Sequence, residues 1–283
     1  MSEQIATSIF DGDPLLNITE QKAYPNVKQM WWLLPISIGI LIVTSFALFA
    51  VLAIIGQDWK NYELYGGPLM IVWLLLFGGY IYFRKKKFEP AYTLSFQYPP
   101  LPVLLLLLFI IPTFIISFTG IITWFHVNTW VQLAGLYQNI FPDNSIKYFI
   151  LLFMFPLLEE VIYRGVILDG LLKTNKVKPA IIHAAAFVGL LSILPAIALM
   201  MFLVSLFNGW LYNKTRNLSI NVFIHFLFNL FPILLPAATD PKDPGSSLEE
   251  LVAEGYMPFV VISLPILGIC CFLLQYYLNK KIK

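Results

Sequence analysis

Charge is scarce in this sequence. Only 12% of its 283 residues are Asp, Glu, Lys or Arg, against about 25% in a soluble globular domain, and that shortage excludes an ordinary water-soluble fold. Histidine is scarcer: there are three (His126, His183 and His225) and no His-Glu-x-x-His run, so a zinc site of the soluble-protease kind is not expected. The two cysteines, Cys270 and Cys271, are neighbours in an apolar stretch, which excludes a disulfide framework and reads as small packing residues. Basic residues form no patch, so no nucleic-acid partner is expected. Residues 1–29 lack the basic start and small-residue cleavage site of a secretory signal peptide, and read as a soluble tail.

Apolar sequence is what the chain has in excess: 59% of residues are hydrophobic, 16% aromatic, and the mean hydropathy is +0.77. Apolar segments run over roughly 31–55, 67–83, 101–124, 148–172, 179–194, 197–213, 218–236 and 257–278, to be compared with the ~20 residues that cross a bilayer. The expectation is an all-α polytopic membrane protein, a bundle of about eight transmembrane helices forming a single membrane domain over 30–283. The runs 67–83 and 179–194 are among the shortest, and Pro195 is the expected break between the fifth and sixth helices.

Lysine and arginine set the expected orientation, because short cytoplasmic loops carry an excess of both. Lys22, Lys28, Arg84, Lys85, Lys86, Lys87, Lys173, Lys176, Lys178, Lys214, Arg216, Lys280, Lys281 and Lys283 fall on one side. Lys60, Lys147 and Lys242 fall on the other, and Arg164 lies within a span. Both termini are therefore expected in the cytoplasm. The acidic loop 237–256 is expected outside, and a cell membrane is the simplest location.

Against this background the run Glu159-Glu160-Val161-Ile162-Tyr163-Arg164-Gly165 stands out. Ionisable residues at bilayer depth are costly and mark functional sites by default. Glu160 and Arg164 are spaced i, i+4 and can pair on one helix face, which leaves Glu159 as the reactive acid. His225 and Asn229 are also spaced i, i+4 in a later apolar run. At ~1.5 Å per residue from the basic helix ends, Glu160 and Asn229 both lie about 20 Å deep and His225 about 14 Å, so the three can meet. A carboxylic acid that activates water, beside an imidazole and a carboxamide that hold an oxyanion or ligate a metal, suits hydrolysis. No cofactor is certain, and a divalent metal such as zinc stays open. Structural readings stay open too: an ion pair that fixes helix packing, and polar side chains that bond across helices.

Glu-Glu-x-x-x-Arg followed by His-x-x-x-Asn, with the intervening Phe207-Asn208-Gly209-Trp210-Leu211-Tyr212, resembles the CPBP family over roughly 148–236. That family contains type II C-a-a-X prenyl proteases and bacteriocin-processing or immunity proteins. The resemblance implies an eight-helix intramembrane endopeptidase: Glu159 activates water, Glu160 and Arg164 support it, and His225 and Asn229 form an oxyanion hole or ligate metal. Its second motif, Phe-x-x-x-His, falls on Phe187 to Leu191, so leucine stands where the family has histidine. His183 shares the face of Leu191 but lies two turns too shallow. Two functions are carried forward: an endopeptidase acting on a membrane-associated or lipidated peptide or protein, and an inactive scaffold of the same fold that regulates another membrane protein. Substrate and oligomeric state are unspecified by the sequence.

Overall fold

The computed structural model describes residues 23–56, 62–124, 148–192, 195–239 and 256–281. Among them are eight helices and no strand: α1 (Val27–Ile54), α2 (Tyr62–Phe88), α3 (Leu101–Trp124), α4 (148–174), α5 (Val177–Leu191), α6 (Pro195–Thr215), α7 (Leu218–Thr239) and α8 (Tyr256–Lys281). α4 is continuous but changes winding along its length. A wide π-type stretch, Ile150–Met154, leads into an α-helical turn, Phe155–Glu160, then a second π-type stretch, Val161–Leu168, and a last α-helical turn, Asp169–Thr174.

The helices follow from the apolar runs, because a backbone in hydrocarbon must satisfy its own hydrogen bonds. Four spans, Val27–Ile54, Gly66–Phe88, Leu101–Ile121 and Pro258–Lys280, are long and apolar enough to cross a membrane. Their outer faces carry large exposed apolar side chains, including Phe46, Phe83, Phe109, Val261 and Phe272, as helices facing lipid do. Pro35, Pro68, Pro112 and Pro265 lie within α1, α2, α3 and α8, a placement membrane helices tolerate.

Boundaries shift at two of the shortest segments. The run read as 67–83 continues in both directions into Tyr62–Phe88. The run read as 179–194 is the 15-residue helix Val177–Leu191, about 22 Å long at 1.5 Å per residue, and Pro195 opens α6 as a helix-starting proline can. All three basic residues expected on the outer side (Lys60, Lys147, Lys242), together with residues 1–22 of the expected soluble tail, His126 and most of the acidic loop, lie outside the described residues.

α4 is the axis of the molecule and packs against α2, α5, α6 and α7, while α3 pairs with α8 and α5 with α6. Two apolar cores result. One gathers α1, α2, α4 and α5 around Phe77, Ile162, Val166 and Phe187. The other gathers α3, α6, α7 and α8 around Leu107, Met200, Leu211 and Ile224. Close crossings depend on missing side chains: a Cβ on Gly189 would sit 3.0 Å from the Ala198 carbonyl, and one on Gly170 would overlap the backbone of Tyr24 and Pro25.

The basic helix ends assigned to one side of the membrane do converge. Lys85 of α2 meets Asp169 of α4 at 2.9 Å and the carbonyl of Tyr24 at 2.9 Å, and Arg216 lies 3.5 Å from Asp169. Lys214 hydrogen-bonds Asn279 in the last turn of α8 at 3.3 Å. At this end α6 stops at Thr215, Arg216 takes a left-handed conformation (φ 49) and returns its N–H to the Tyr212 carbonyl at 2.7 Å, a turn that closes a helix C-terminus. Asn217 then caps α7 by accepting from the Ser219 N–H at 3.0 Å. It also exchanges two hydrogen bonds with the backbone of Gln97, both 3.1 Å, pinning the extended segment between α2 and α3.

Candidate active site

The two glutamates close the short α-helical turn of α4, directly before the wider Val161–Leu168 stretch. π-type turns often mark functional positions because they redirect side chains and free carbonyls. The first wide stretch shows how. The Phe155 N–H reaches back five residues to the Ile150 carbonyl, so the next bond in that register would run from residue 156 to Leu151. Residue 156 is proline, which has no N–H. The Leu151 carbonyl instead receives the Asn229 side-chain amide at 2.8 Å. A proline on one helix thus creates the acceptor that an asparagine on another satisfies, and this docks α7 beside the glutamates.

One turn before Asn229, His225 faces both acids. Its Nδ1 lies 3.1 Å from Glu160 Oε1 and its Nε2 lies 3.7 Å from Glu159 Oε2. Arg164 Nη1 donates to the same Glu160 oxygen at 2.9 Å, and Nη2 donates to Ser205 Oγ of α6 at 2.9 Å. Glu160 and Arg164 are almost wholly buried, whereas about 26% of the Glu159 side chain is exposed. Four helices' worth of sequence therefore converge: α4 supplies both acids and the arginine, α6 a hydroxyl, α7 the imidazole, and α5 the apolar wall. In that wall Phe187 stands edge-on to Tyr163, ring centres 6.4 Å apart. Leu191 packs against the same cluster.

The grouping divides the sequence-predicted residues by role. Glu160 and Arg164 form the pair that their spacing suggests. His225 joins Glu160 to Glu159, and with its Nδ1–H donated to Glu160 the Nε2 is left facing Glu159. Asn229 lies on the same helix face, but its amide is committed to the Leu151 carbonyl. His183 lies apart, edge-on to Trp31 of α1 at 6.2 Å. Nothing in the local sequence of Ser205 distinguishes it as a partner of the centre. Asn221, one turn before His225, does carry a signal, its i, i+4 spacing to His225.

The donor set fits a metal poorly. A guanidinium sits on Glu160, where it holds the place a cation would take, and among the described residues no three His, Cys, Asp or Glu side chains converge in a way that could hold an ion. As charges, Glu160 and Arg164 cancel. The remaining acid and imidazole can hold one mobile proton between them, on Glu159 or on His225.

A second polar cluster closes the basic end of α4. Lys85, fully buried, contacts Glu89 at 3.0 Å and Asp169 at 2.9 Å. Lys173 contacts Asp169 at 2.8 Å and Glu89 at 2.5 Å. The Tyr24 N–H donates to Glu89 at 3.1 Å, and the Tyr92 hydroxyl donates to the Gly165 carbonyl at 2.5 Å. Burial raises the Glu89 carboxyl, but the bonds from Lys173, the Tyr24 N–H and Lys85 outweigh it and hold that group below the ordinary carboxylate range. Burial likewise disfavours charge on Lys173, but Asp169 and Glu89 outweigh it and keep the ammonium above the usual lysine range. Burial drives the Tyr92 phenol far above its ordinary value. This second cluster was also missed in the sequence, although Lys85–Glu89 and Asp169–Lys173 are both spaced i, i+4.

Residues 142–231, about a third of the chain, match the family model described as Rce1-like: type II CAAX prenyl endopeptidase. The matched stretch includes both glutamates, Arg164, Ser205, His225 and Asn229, and it bears out the resemblance to the CPBP family drawn from the motifs. No curated protein and no solved structure matches the chain significantly.

Proposed function

We propose that the protein is an intramembrane endopeptidase in which Glu159 activates water. The observation that carries the proposal is the unequal treatment of the two acids: Glu160 is held by Arg164 and His225, whereas Glu159 is left half-open and faces His225 Nε2 across 3.7 Å. A water held between those two groups would give a proton to Glu159 as its oxygen attacks the scissile carbonyl. The oxyanion that forms accepts a hydrogen bond from the protonated His225 Nε2. Collapse breaks the C–N bond, and the Glu159 proton passes to the leaving amine. Water is the only co-reactant, and both products leave with their valences satisfied. Ser205 positions Arg164, Arg164 holds Glu160, Glu160 orients the imidazole, and Asn229 fixes α7.

The substrate class that fits is a membrane-associated or lipidated peptide or protein, because the acids lie within a bundle whose outer face is apolar. The matched family, type II CAAX prenyl endopeptidases, points the same way. The basic helix ends support a cytoplasmic location for that end of the bundle, in a cell membrane crossed several times. A second reading rests on Leu191. A leucine at the second-motif position can neither hold a water proton nor bind metal, which favours a scaffold that has kept the fold and lost the reaction.

Comparing new protein N-termini in host membranes that carry the wild type or Glu159→Ala, matched for abundance and thermal stability, separates the two. Cleavage sites lost with Glu159 support the protease and name its substrate. Unchanged termini, together with a deletion phenotype that Glu159→Ala rescues, would overturn it in favour of the scaffold.

A further inference from the structure

Hydrolysis inside a membrane needs a route for water, and among the described residues a series of polar side chains leads from the glutamates to the basic end. On α6, Ser205 is followed at helical spacing by Asn208 and Tyr212; on α7, His225 is preceded by Asn221 and Asn217; on α4, Arg164 is followed by Asp169 and Lys173. All of these lead to the basic end. In the other direction α4 presents Leu151, Met154 and Phe155, α6 presents Ile197, Met200 and Met201, and α7 presents Asn229, whose amide is already committed to the Leu151 carbonyl.

Midway along this route lie two buried asparagines, Asn208 at 1% and Asn221 at 0% exposure. The Asn221 amide donates to the Asn208 backbone carbonyl at 2.8 Å, tying α7 to α6. Among the described residues, none donates a hydrogen bond to the side-chain oxygen of either residue, or to Glu160 Oε2. Buried amide oxygens are rarely left unpaired; the usual partner, where protein supplies none, is an ordered internal water.

We infer that Asn208 and Asn221 form an internal water site one helical turn from Ser205 and His225, and that this site hydrates the glutamate centre from the basic end of the bundle. The ligand is water itself, held by two carboxamide oxygens. Its role in turnover deepens the endopeptidase reading and rests on it, but its occupancy does not.

Occupancy can be read without any cleavage assay. Brief X-ray radiolysis of the full chain in lipid nanodiscs, in ¹⁸O-labelled water, adds labelled oxygen to side chains that touch bound water. Tyr212, one turn from Asn208 and 4% exposed, should be labelled several-fold more than Leu107 and Phe77, which are also buried but lie away from the route. Asn208→Leu removes the oxygen at nearly constant volume and keeps the bond from Asn221, whose acceptor is backbone. It should bring Tyr212 down to the level of the two controls. Equal labelling of Tyr212 and the controls in the wild type would overturn the site, and so would labelling that Asn208→Leu leaves unchanged. If the protein cleaves, the same variant should lower kcat with little effect on KM. A labelled site in a protein that never cleaves would retain the water site and remove only its catalytic purpose.

Discussion

The glutamate centre and the ionic latch at the basic end share helix α4, nine residues separating Glu160 from Asp169, yet they treat charge in opposite ways. In the latch each charge is met more than once: Lys85 contacts Glu89, Asp169 and the Tyr24 carbonyl, and Glu89 is contacted by Lys85, Lys173 and the Tyr24 N–H. In the centre the coordination is incomplete. Arg164 and His225 share one oxygen of Glu160, and among the described residues Glu159 is faced by the imidazole alone, at 3.7 Å. Saturated charges hold a structure together. Groups left short of partners can take up and release a proton as bonds change.

That contrast can be broken from either side. Glu159→Gln should lower cleavage by about 10² to 10⁴-fold, the range set by loss of general acid–base catalysis, while the unfolding temperature in detergent stays close to wild type. A marked loss of stability would place Glu159 with the structural charges. Lys85→Met should do the reverse: removing one partner of a buried ion cluster costs about 3 to 5 kcal/mol, to be read as a lower unfolding midpoint. Fully stable Lys85→Met protein would show that the latch is not what holds the N-terminal segment to α2 and α4.

Smaller effects sharpen the comparison. Leu191→His should raise any Glu159-dependent cleavage, because it returns a histidine to the second motif. An unchanged rate in a folded, membrane-inserted variant would sink the alignment of Phe187 and Leu191 with that motif. The latch should also leave its mark on stability against pH. The lowered Glu89 contributes fully above its unfolded value, about 4.3, and that contribution is lost as pH falls through the lower folded value. The raised Lys173 contributes fully below about 10.4, and its share is lost as pH rises through the higher folded value. Between these limits the latch should add a constant amount. Glu89→Gln should weaken the acid-side loss of stability. A Glu89→Gln protein that loses as much on acidification as the wild type would show that other carboxylates carry it.

The helices were legible because each is a long apolar run bounded by charge or proline, and the Glu160–Arg164 pair was legible from its spacing. The winding of α4 was not. Apolar side chains pack equally well on α and π turns, so nothing in Ile150–Met154 announces the wide register; Pro156 announces only that one carbonyl must find another donor. The i, i+4 spacing suggests Asn229 and His225 as one functional pair, whereas the structure commits the Asn229 amide to that carbonyl. Lys85 was counted among the basic residues that set topology. Only tertiary contact with Asp169, 84 residues away, explains why it is completely buried.

The wide stretch Val161–Leu168 stores slack. A π-type turn takes up more residues than an α turn for a similar advance along the axis, so deleting one residue there would let the helix rewind as α with nearly the same length and rotation. The acids and the latch would keep their relative positions. α4 can therefore lose a residue between its two polar clusters over evolutionary time, a kind of length change that a uniformly wound helix would transmit to every contact beyond it.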